Sequence, residues 1–351
     1  MRERSFISNS KVICEVIVFL LLLFSAYEII NDKYAYAANQ NVVNAYTKSR
    51  YDGFYELEEN TLDMVFIGSS HSYCTFDPEN FDSVLGSFSW QMGTPLQHYD
   101  TSYYSLKEVL KTQSPDVIVL EIYWGVLDTD FDMKQANSFF EVVNDEAVVS
   151  DYVKTVFPLN ERVKYAILPI RYQQDYFAYE NNNLEKVAEE KFGVKKYKEI
   201  QDTNGVEYYL AKGYTFCDTI IPKSEFDETN QFKGLDGAAW QTSQTQIKYV
   251  EMFVDLCNEN NIEVVFVTAP IANVSMDYIE NYDVIHDEMS KLAQRLGVKY
   301  IDFNIINMEE GLLEIENFRD DAHLNDSGVK IVNEYFIEWL KNNTNHFGNN
   351  N

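Results

Sequence analysis

The sequence predicts an α/β protein built on a parallel sheet with helices on both faces. Short apolar runs typical of buried strands alternate with longer segments whose apolar residues recur at helical spacing. The chain has 351 residues, of which 46% are hydrophobic, so it is large enough for a substantial core. Alternation of strands with helices is the pattern of parallel sheets with crossover helices.

The predicted elements follow in order from residue 62. Strands are expected at 62–67, 87–93, 117–123, 262–268 and 298–303. Helices are expected at 94–113, 240–261, 278–296 and 326–342, with a loop and helix start at 76–81. Ligand sites in such sheets lie outside the carboxyl ends of the strands. Ser70, Gly93 and His323 should therefore gather at one edge of the sheet.

The N-terminal segment predicts a membrane anchor. Basic residues in 1–11 precede an apolar run at 12–30, which nearly spans a bilayer core of roughly 30 Å. This order predicts a cytoplasmic tail, a single-pass anchor in the cell membrane and an extracytoplasmic domain. A cleaved signal peptide is the alternative, because residues 35–37 satisfy the small-x-small rule.

The remaining chain divides by composition. The predicted parts are a polar stalk at 31–60, a catalytic-type domain at 61–342 and a polar tail at 343–351. Regular alternation is interrupted at 125–236, an aromatic-rich insertion with helix-like pieces near 151–156 and 184–198. The insertion is expected to pack over one edge of the core and to shape an acceptor cleft.

Composition excludes several classes of function. The net charge of −28 makes a nucleic-acid partner implausible. The cysteines show neither a C-x-x-C spacing nor a metal pattern, so core thiols with at most one bridge are expected, and no metal or other cofactor is predicted. They are Cys14, Cys74, Cys217 and Cys257.

Two short blocks carry the candidate chemistry. The apolar run 62–67 stops at Gly68, and a hydroxyl at Ser70 would stand at the rim of the sheet. Near the other end, Asp320 and His323 are three residues apart, just before the last helical pattern. A serine becomes a useful nucleophile when a base accepts its proton and a third group orients that base. We therefore expect a catalytic triad of Ser70, Asp320 and His323.

These blocks resemble those of the SGNH (GDSL-like) hydrolase superfamily, over about 60–125 and 240–342. Its nucleophile lies in a Gly-Asp-Ser-type block, matched here by 68–70 with Ser69 in place of Asp, and its acid and base form an Asp-x-x-His block, matched by 320–323. The Gly-Ser-Ser-His variant is similar to a membrane-anchored branch that includes alginate O-acetylation and teichoic-acid D-alanyl transfer proteins. The resemblance implies a flavodoxin-like three-layer α/β/α fold of the SGNH-hydrolase type.

The oxyanion hole is where the sequence departs from that family. The backbone N–H groups of Ser70 and Gly93 are the first candidate donors. The usual Gly-x-Asn block has no match near the third strand. Gln91, Gln97 and Tyr123 are candidate substitutes for the third donor, and for each a structural role is the alternative.

Other titratable residues have alternative interpretations. His71 is a poor general base beside Ser70 and is expected to fix the loop by a hydrogen bond. His98, His286 and His346 lack a carboxylate at a suggestive spacing. Glu121, at a strand end, is either a paired acid or a cleft residue.

Two hypotheses from different classes follow. The first is an enzyme that forms an acyl-Ser70 intermediate and passes the acyl group to a sugar hydroxyl or to water. The second is a non-catalytic module that binds glycans or a membrane partner. The complete triad favours an enzyme, either an acyltransferase or an esterase. The resemblance and the anchor favour O-acetylation of a cell-surface polysaccharide, with a multi-span membrane acyltransferase as the implied partner.

Overall fold

The computed structural model describes residues 2–41, 45–167, 170, 207–227 and 229–348. A five-stranded sheet forms the centre of the domain that carries the predicted site residues. Its strands are β1 (Met64–Ile67), β2 (Ser89–Gln91), β3 (Val117–Glu121), β6 (Glu263–Thr268) and β7 (Lys299–Asp302). All neighbouring pairs are parallel, in the order β2-β1-β3-β6-β7. Counted along this sheet alone, the order is 2-1-3-4-5, which is that of flavodoxin-like folds.

Helices cover both faces of the sheet. One face packs against α4 (Pro78–Leu85), α13 (Phe303–Glu310) and α14 (Asp326–Asn343). The other lies against α5 (Tyr99–Val109), α10 (Gln244–Glu259) and α12 (Tyr282–Leu296). Because both faces are buried, apolar side chains on both faces stabilise the central strands, as in β1 and the first four residues of β3. The predicted three-layer α/β/α fold is confirmed.

The five predicted strands and the first three of the four long helices are found with shorter bounds, and the last helix ends one residue later than predicted. The predicted strand 87–93 is reduced to three residues and the predicted helix 94–113 begins at Tyr99. Pro95 and the left-handed residue Leu96 (φ +50°) keep the preceding segment out of the helix. Three further short helices are α3 (Ser70–Thr75), α6 (Trp124–Leu127) and α11 (Asn273–Met276).

The insertion residues described at 125–157, 207–227 and 229–236 pack against the core and contain both helices and strands. They contribute α7 (Met133–Phe140), α8 (Glu146–Thr155) and a hairpin of β4 (Glu207–Tyr209) and β5 (Thr215–Cys217). Helix α8 covers residues 151–155 of the predicted helical piece at 151–156, whereas the piece at 184–198 lies outside the described residues. Strand β5 contacts α3, so the insertion reaches the carboxyl edge of the sheet.

The predicted stalk is only partly a separate segment. Residues 45–55 form helix α2 (Ala45–Tyr55), in which Arg50, Tyr51 and Phe54 are buried. The packed domain therefore begins near residue 45, ahead of the predicted start at 61. Tyr46, Arg50 and Phe54 recur at four-residue spacing, and all three side chains are buried.

The described residues 2–41, 158–167 and 170 belong to a second compact unit. Its described helices are α1 (Arg2–Asn41) and α9 (Leu159–Ala166). Within α1, Ser10–Ile30 has a mean hydropathy of 2.4, and none of this stretch is buried. It is long and apolar enough to cross a membrane or to act as a signal anchor.

Among the described cysteines, all four are free thiols, and Cys74, Cys217 and Cys257 are buried.

Candidate active site

The turn after β1 places the candidate nucleophile. Ser69 caps helix α3, and its Oγ accepts the His71 N–H at 3.2 Å. Gly68 is required here because a Cβ would lie 2.5 Å from the Cβ of Glu121 and 3.0 Å from that of Ser72. The turn therefore packs closely over β3 and leaves Ser70 half-buried at the edge of the sheet.

The structure brings Ser70, His323 and Asp320 together as a hydrogen-bonded chain. His323 Nε2 lies 2.9 Å from Ser70 Oγ. His323 Nδ1 lies 3.0 Å from both carboxylate oxygens of Asp320. A proton on Nδ1 satisfies Asp320 and leaves Nε2 free to accept the Ser70 proton, so this is the tautomer we assign.

The electrostatics keep Asp320 ionised. Burial opposes ionisation, but His323 and the Arg319 guanidinium hold the pKa of Asp320 well below its usual range. Arg319 Nε lies 3.3 Å from Asp320 Oδ2, and its other end pairs with Glu207 of the insertion at 2.6 Å. Asp320 also accepts the backbone N–H of His323 at 2.7 Å. The carboxylate is thus fixed in position and in charge.

Residues of the insertion and of α11 brace the loop that carries the triad. Asp321 accepts the Gln231 N–H at 2.7 Å and the Gln231 side-chain amide at 2.5 Å. The Asp321 N–H donates to Glu225 at 3.0 Å, and its carbonyl accepts the Ser275 hydroxyl at 2.7 Å. These four bonds fix Asp321, one of the two residues between Asp320 and His323, so the insertion helps to hold the candidate triad.

Two backbone N–H groups are available as oxyanion donors. Among the described residues, neither the Ser70 N–H nor the Gly93 N–H has an acceptor. Gly93 lies against the nucleophile turn, since a Cβ on it would be 2.8 Å from the Gly68 carbonyl oxygen and 3.2 Å from that of Ser69. The structure therefore places both predicted donors beside the nucleophile.

Two of the three candidate side-chain donors are used elsewhere. The Gln91 amide donates to the carbonyls of Ser72 and Phe76 at 3.0 and 2.9 Å. The Gln97 amide donates to Ser102 at 3.1 Å. Both have structural roles.

Tyr123 lies near the triad instead. Its ring is 4.2 Å from that of His71, which is in turn 4.8 Å from the His323 ring. The structure gives the Tyr123 hydroxyl no hydrogen bond to the described residues. It therefore remains a candidate third donor.

His71 forms part of this stack of rings. Its side chain makes no hydrogen bond to the described residues, so the predicted hydrogen bond that would fix the loop is not found. Only its backbone N–H bonds to Ser69. Burial and the neighbouring His323 hold the pKa of His71 well below its ordinary value, so its ring is neutral. Instead of the predicted hydrogen bond, the His71 side chain packs against the His323 ring.

The other histidines have carboxylate neighbours that the sequence did not indicate. His286 Nδ1 lies 2.8 Å from Asp302, and His346 Nε2 lies 3.3 Å from Asp116. Both pairs join residues far apart in sequence. His98 is buried, and burial lowers its pKa. All three lie outside the triad.

Arg50 is a functional candidate that sequence reasoning missed. It is fully buried, donates to the Gly93 carbonyl at 2.6 Å and to the Gly213 carbonyl at 3.0 Å, and lies 4.2 Å over the Tyr73 ring. By fixing the Gly93 carbonyl, it orients the loop that carries a candidate oxyanion donor. Its position inside the predicted stalk concealed it.

This arrangement can perform acyl transfer through a covalent intermediate. His323 can take the Ser70 proton as Oγ bonds to an acyl carbon, and Asp320 then stabilises the imidazolium. The Ser70 and Gly93 N–H groups can stabilise the oxyanion. Among the described residues, no group of acidic, histidine or cysteine side chains is arranged to hold a metal ion.

Similarity to known proteins is found among solved structures. No family model matches the sequence, and no curated protein matches it. One similar solved structure is a candidate acylhydrolase from Bacteroides fragilis, with a TM-score of 0.39 and 11% identity, matched over 84% of this chain and 95% of that one.

Two further solved structures are similar. A candidate lipolytic protein of the G-D-S-L family from Desulfitobacterium hafniense has a TM-score of 0.37 and 12% identity, over 78% of this chain and 97% of that one. An acetyl xylan esterase from Butyrivibrio proteoclasticus has a TM-score of 0.33 and 10% identity, over 82% of this chain and 65% of that one. The candidate chemistry of this chain rests on its own side chains.

Proposed function

We propose that this protein is a membrane-anchored serine acyltransferase that adds O-acyl groups, acetyl in the first instance, to a cell-surface polysaccharide. The observation that carries the proposal is the hydrogen-bonded chain of Ser70, His323 and Asp320. Two backbone N–H groups without acceptors lie beside it, which is what an acyl-transfer site requires. A non-catalytic glycan-binding module would need none of these contacts.

The proposed reaction proceeds through one covalent intermediate, the acyl-Ser70 ester. Ser70 Oγ bonds to the carbonyl carbon of a donor ester, and His323 passes the serine proton to the departing alcohol. An acceptor hydroxyl then gives its proton to His323 and attacks the acyl-Ser70 ester, and Ser70 leaves with that proton. A multi-span membrane acyltransferase that carries acyl groups across the membrane is the proposed source of the donor.

Two features support transfer at a cell surface. Ser10–Ile30 has the length and hydropathy of an anchor. Glu225 and Gln231 of the insertion form hydrogen bonds with Asp321 in the loop that carries Asp320 and His323. The insertion therefore lies beside the site. An acceptor bound by the insertion would compete with water for the acyl-Ser70 intermediate.

The test is an acyl-transfer assay on the full chain in detergent micelles. A chromogenic acetyl ester serves as donor, and purified cell-surface glycans serve as acceptors. We expect slow turnover alone, faster turnover with a matching glycan, and acetylated glycan detected by mass spectrometry, with Ser70→Ala as the inactive control. If no glycan accelerates turnover and acetylated glycans are instead stripped, the protein is a carbohydrate esterase.

A further inference from the structure

A buried carboxyl lies directly beneath the nucleophile turn. Glu121 is the last residue of β3, and its side chain is 1% exposed. Its Oε2 accepts the Ser69 N–H at 2.8 Å and the Ser69 Oγ–H at 2.9 Å. Since Ser69 Oγ in turn accepts the His71 N–H, Glu121 is linked through one residue to the start of helix α3.

This link determines which N–H is free for the oxyanion. The Ser69 N–H is occupied by Glu121, so the next N–H in the chain, that of Ser70, is the one left without an acceptor among the described residues. Losing Glu121 would release the Ser69 N–H and the Ser69 hydroxyl together. Without these two hydrogen bonds, the turn would hold the Ser70 N–H less firmly in its direction.

Glu121 has no counterion in the described structure. Arg50 donates to backbone carbonyls, and Arg319 pairs with Glu207 and Asp320. Glu121 Oε1 is buried without a hydrogen-bond partner among the described residues. Burial raises the pKa of Glu121 to about 7, although the two bonds from Ser69 oppose this.

The titratable groups that face Glu121 do not compensate its charge. Tyr99 from α5 and Tyr123 from the segment after β3 both interact with it, and burial raises the pKa of each phenol well above its ordinary value. Both therefore stay neutral. An ionised Glu121 would place an uncompensated negative charge behind the turn whose Ser70 N–H must stabilise a developing oxyanion.

We propose that Glu121 is a positioning residue that holds the Ser69–Ser70 turn for acyl transfer and does so in its protonated, uncharged form. In that form, Oε2 still accepts both bonds from Ser69 and the proton is carried by Oε1. The inference rests on the proposed role of Ser70 as nucleophile. It does not depend on the identity of the acyl acceptor.

The test is the rate at which a fluorophosphonate labels Ser70 in the full chain between pH 5.5 and 9.5. Phosphonylation needs the nucleophile and the oxyanion donors but no glycan, so it can succeed where the transfer assay fails. The variant is Glu121→Gln, which keeps an acceptor oxygen and cannot ionise. The saturating rate constant and the half-saturating probe concentration are measured separately.

We expect Glu121→Gln to match the wild type below pH 6 and to exceed its saturating rate by about threefold or more above pH 8.5, because only the wild type gains the opposing charge. The half-saturating concentration should not change. Glu121→Leu should lower the saturating rate by about tenfold or more at every pH, since both bonds from Ser69 are lost.

The matched control is Glu108→Gln. Glu108 is also a buried carboxyl with a raised pKa and one partnerless oxygen, but it accepts from Tyr55 of α2 and not from the nucleophile turn. This variant should reproduce the wild-type pH profile. The proposal is overturned if Glu121→Gln also reproduces that profile, or if it is slower than the wild type at every pH. Should Glu121→Leu fail to fold, the glutamine variant alone decides.

Discussion

Replacing Gly93 with alanine tests the oxyanion hole by a steric route. Gly93 is not among the residues with positive φ, so alanine is compatible with its backbone angles and only the space is at issue. The added Cβ would lie 2.8 Å from the Gly68 carbonyl oxygen, 3.2 Å from that of Ser69 and 3.3 Å from Tyr73 Cδ1. Two of these contacts are backbone atoms of the nucleophile turn, which cannot rotate away.

The magnitude follows from that geometry. Relieving the shortest contact requires one backbone to move by roughly half an ångström, and Arg50 holds the Gly93 carbonyl against such a shift. Loss of one oxyanion donor costs about 10²–10³ in kcat, and overpacking costs about 1–3 kcal/mol of stability. We therefore expect kcat to fall about 100-fold, with a modest loss of folding free energy.

The assay pairs kcat on a chromogenic acetyl ester with urea unfolding. Gly86→Ala is the control, because Gly86 has φ +68° and nothing lies within 4 Å of its added Cβ. It should lose about 1–2 kcal/mol through backbone strain and keep its kcat. If Gly93→Ala keeps kcat within about threefold of wild type, Gly93 does not contribute an oxyanion donor.

Three further predictions concern the triad, a remote ion pair and topology. Asp320→Asn should lower kcat by about 10³–10⁴, because Nδ1 of His323 loses its anionic partner, and an unchanged kcat would contradict the triad. The Asp302 hydrogen bond raises the pKa of His286, so this pair stabilises the fold fully below about pH 6.5 and less as pH rises through the raised value. Urea unfolding should accordingly show His286→Gln losing more stability at pH 5.5 than at pH 9, and the reverse order would refute the linkage. External protease on intact cells should digest the domain while Ser10–Ile30 stays in the membrane, whereas a soluble form beginning near residue 38 would identify a signal peptide.

Local patterns predicted most of the framework because they report local physics. Strands β1 and β3 and most of β6 are apolar runs, since the centre of a parallel sheet covered on both faces has few places for polar groups. The blocks around Ser70 and His323 were recognisable because Gly68 permits the turn and Asp320 lies three residues before the imidazole. Topology then brought the two ends of the chain to one edge.

The supporting contacts could not be predicted because they join distant segments. His286 and Asp302 are sixteen positions apart and meet only after α12 packs on β7. Arg50 bonds to Gly93 across 43 positions, and the polar composition of its segment predicts a stalk. Gln231 reaches Asp321 across 90 positions. Removing the whole insertion would therefore disturb the triad as well as any acceptor cleft.

The most direct test of the central claim is to identify the residue that a serine-directed fluorophosphonate modifies in the folded full chain. Peptide mapping should place the modification on Ser70 alone, since this hydroxyl lies 2.9 Å from His323 Nε2. Ser70→Ala should remove labelling without lowering the unfolding midpoint, and His323→Ala should slow it strongly. Labelling that persists in Ser70→Ala, or that maps to Ser69 or Ser72, would contradict the assignment of Ser70 as the nucleophile.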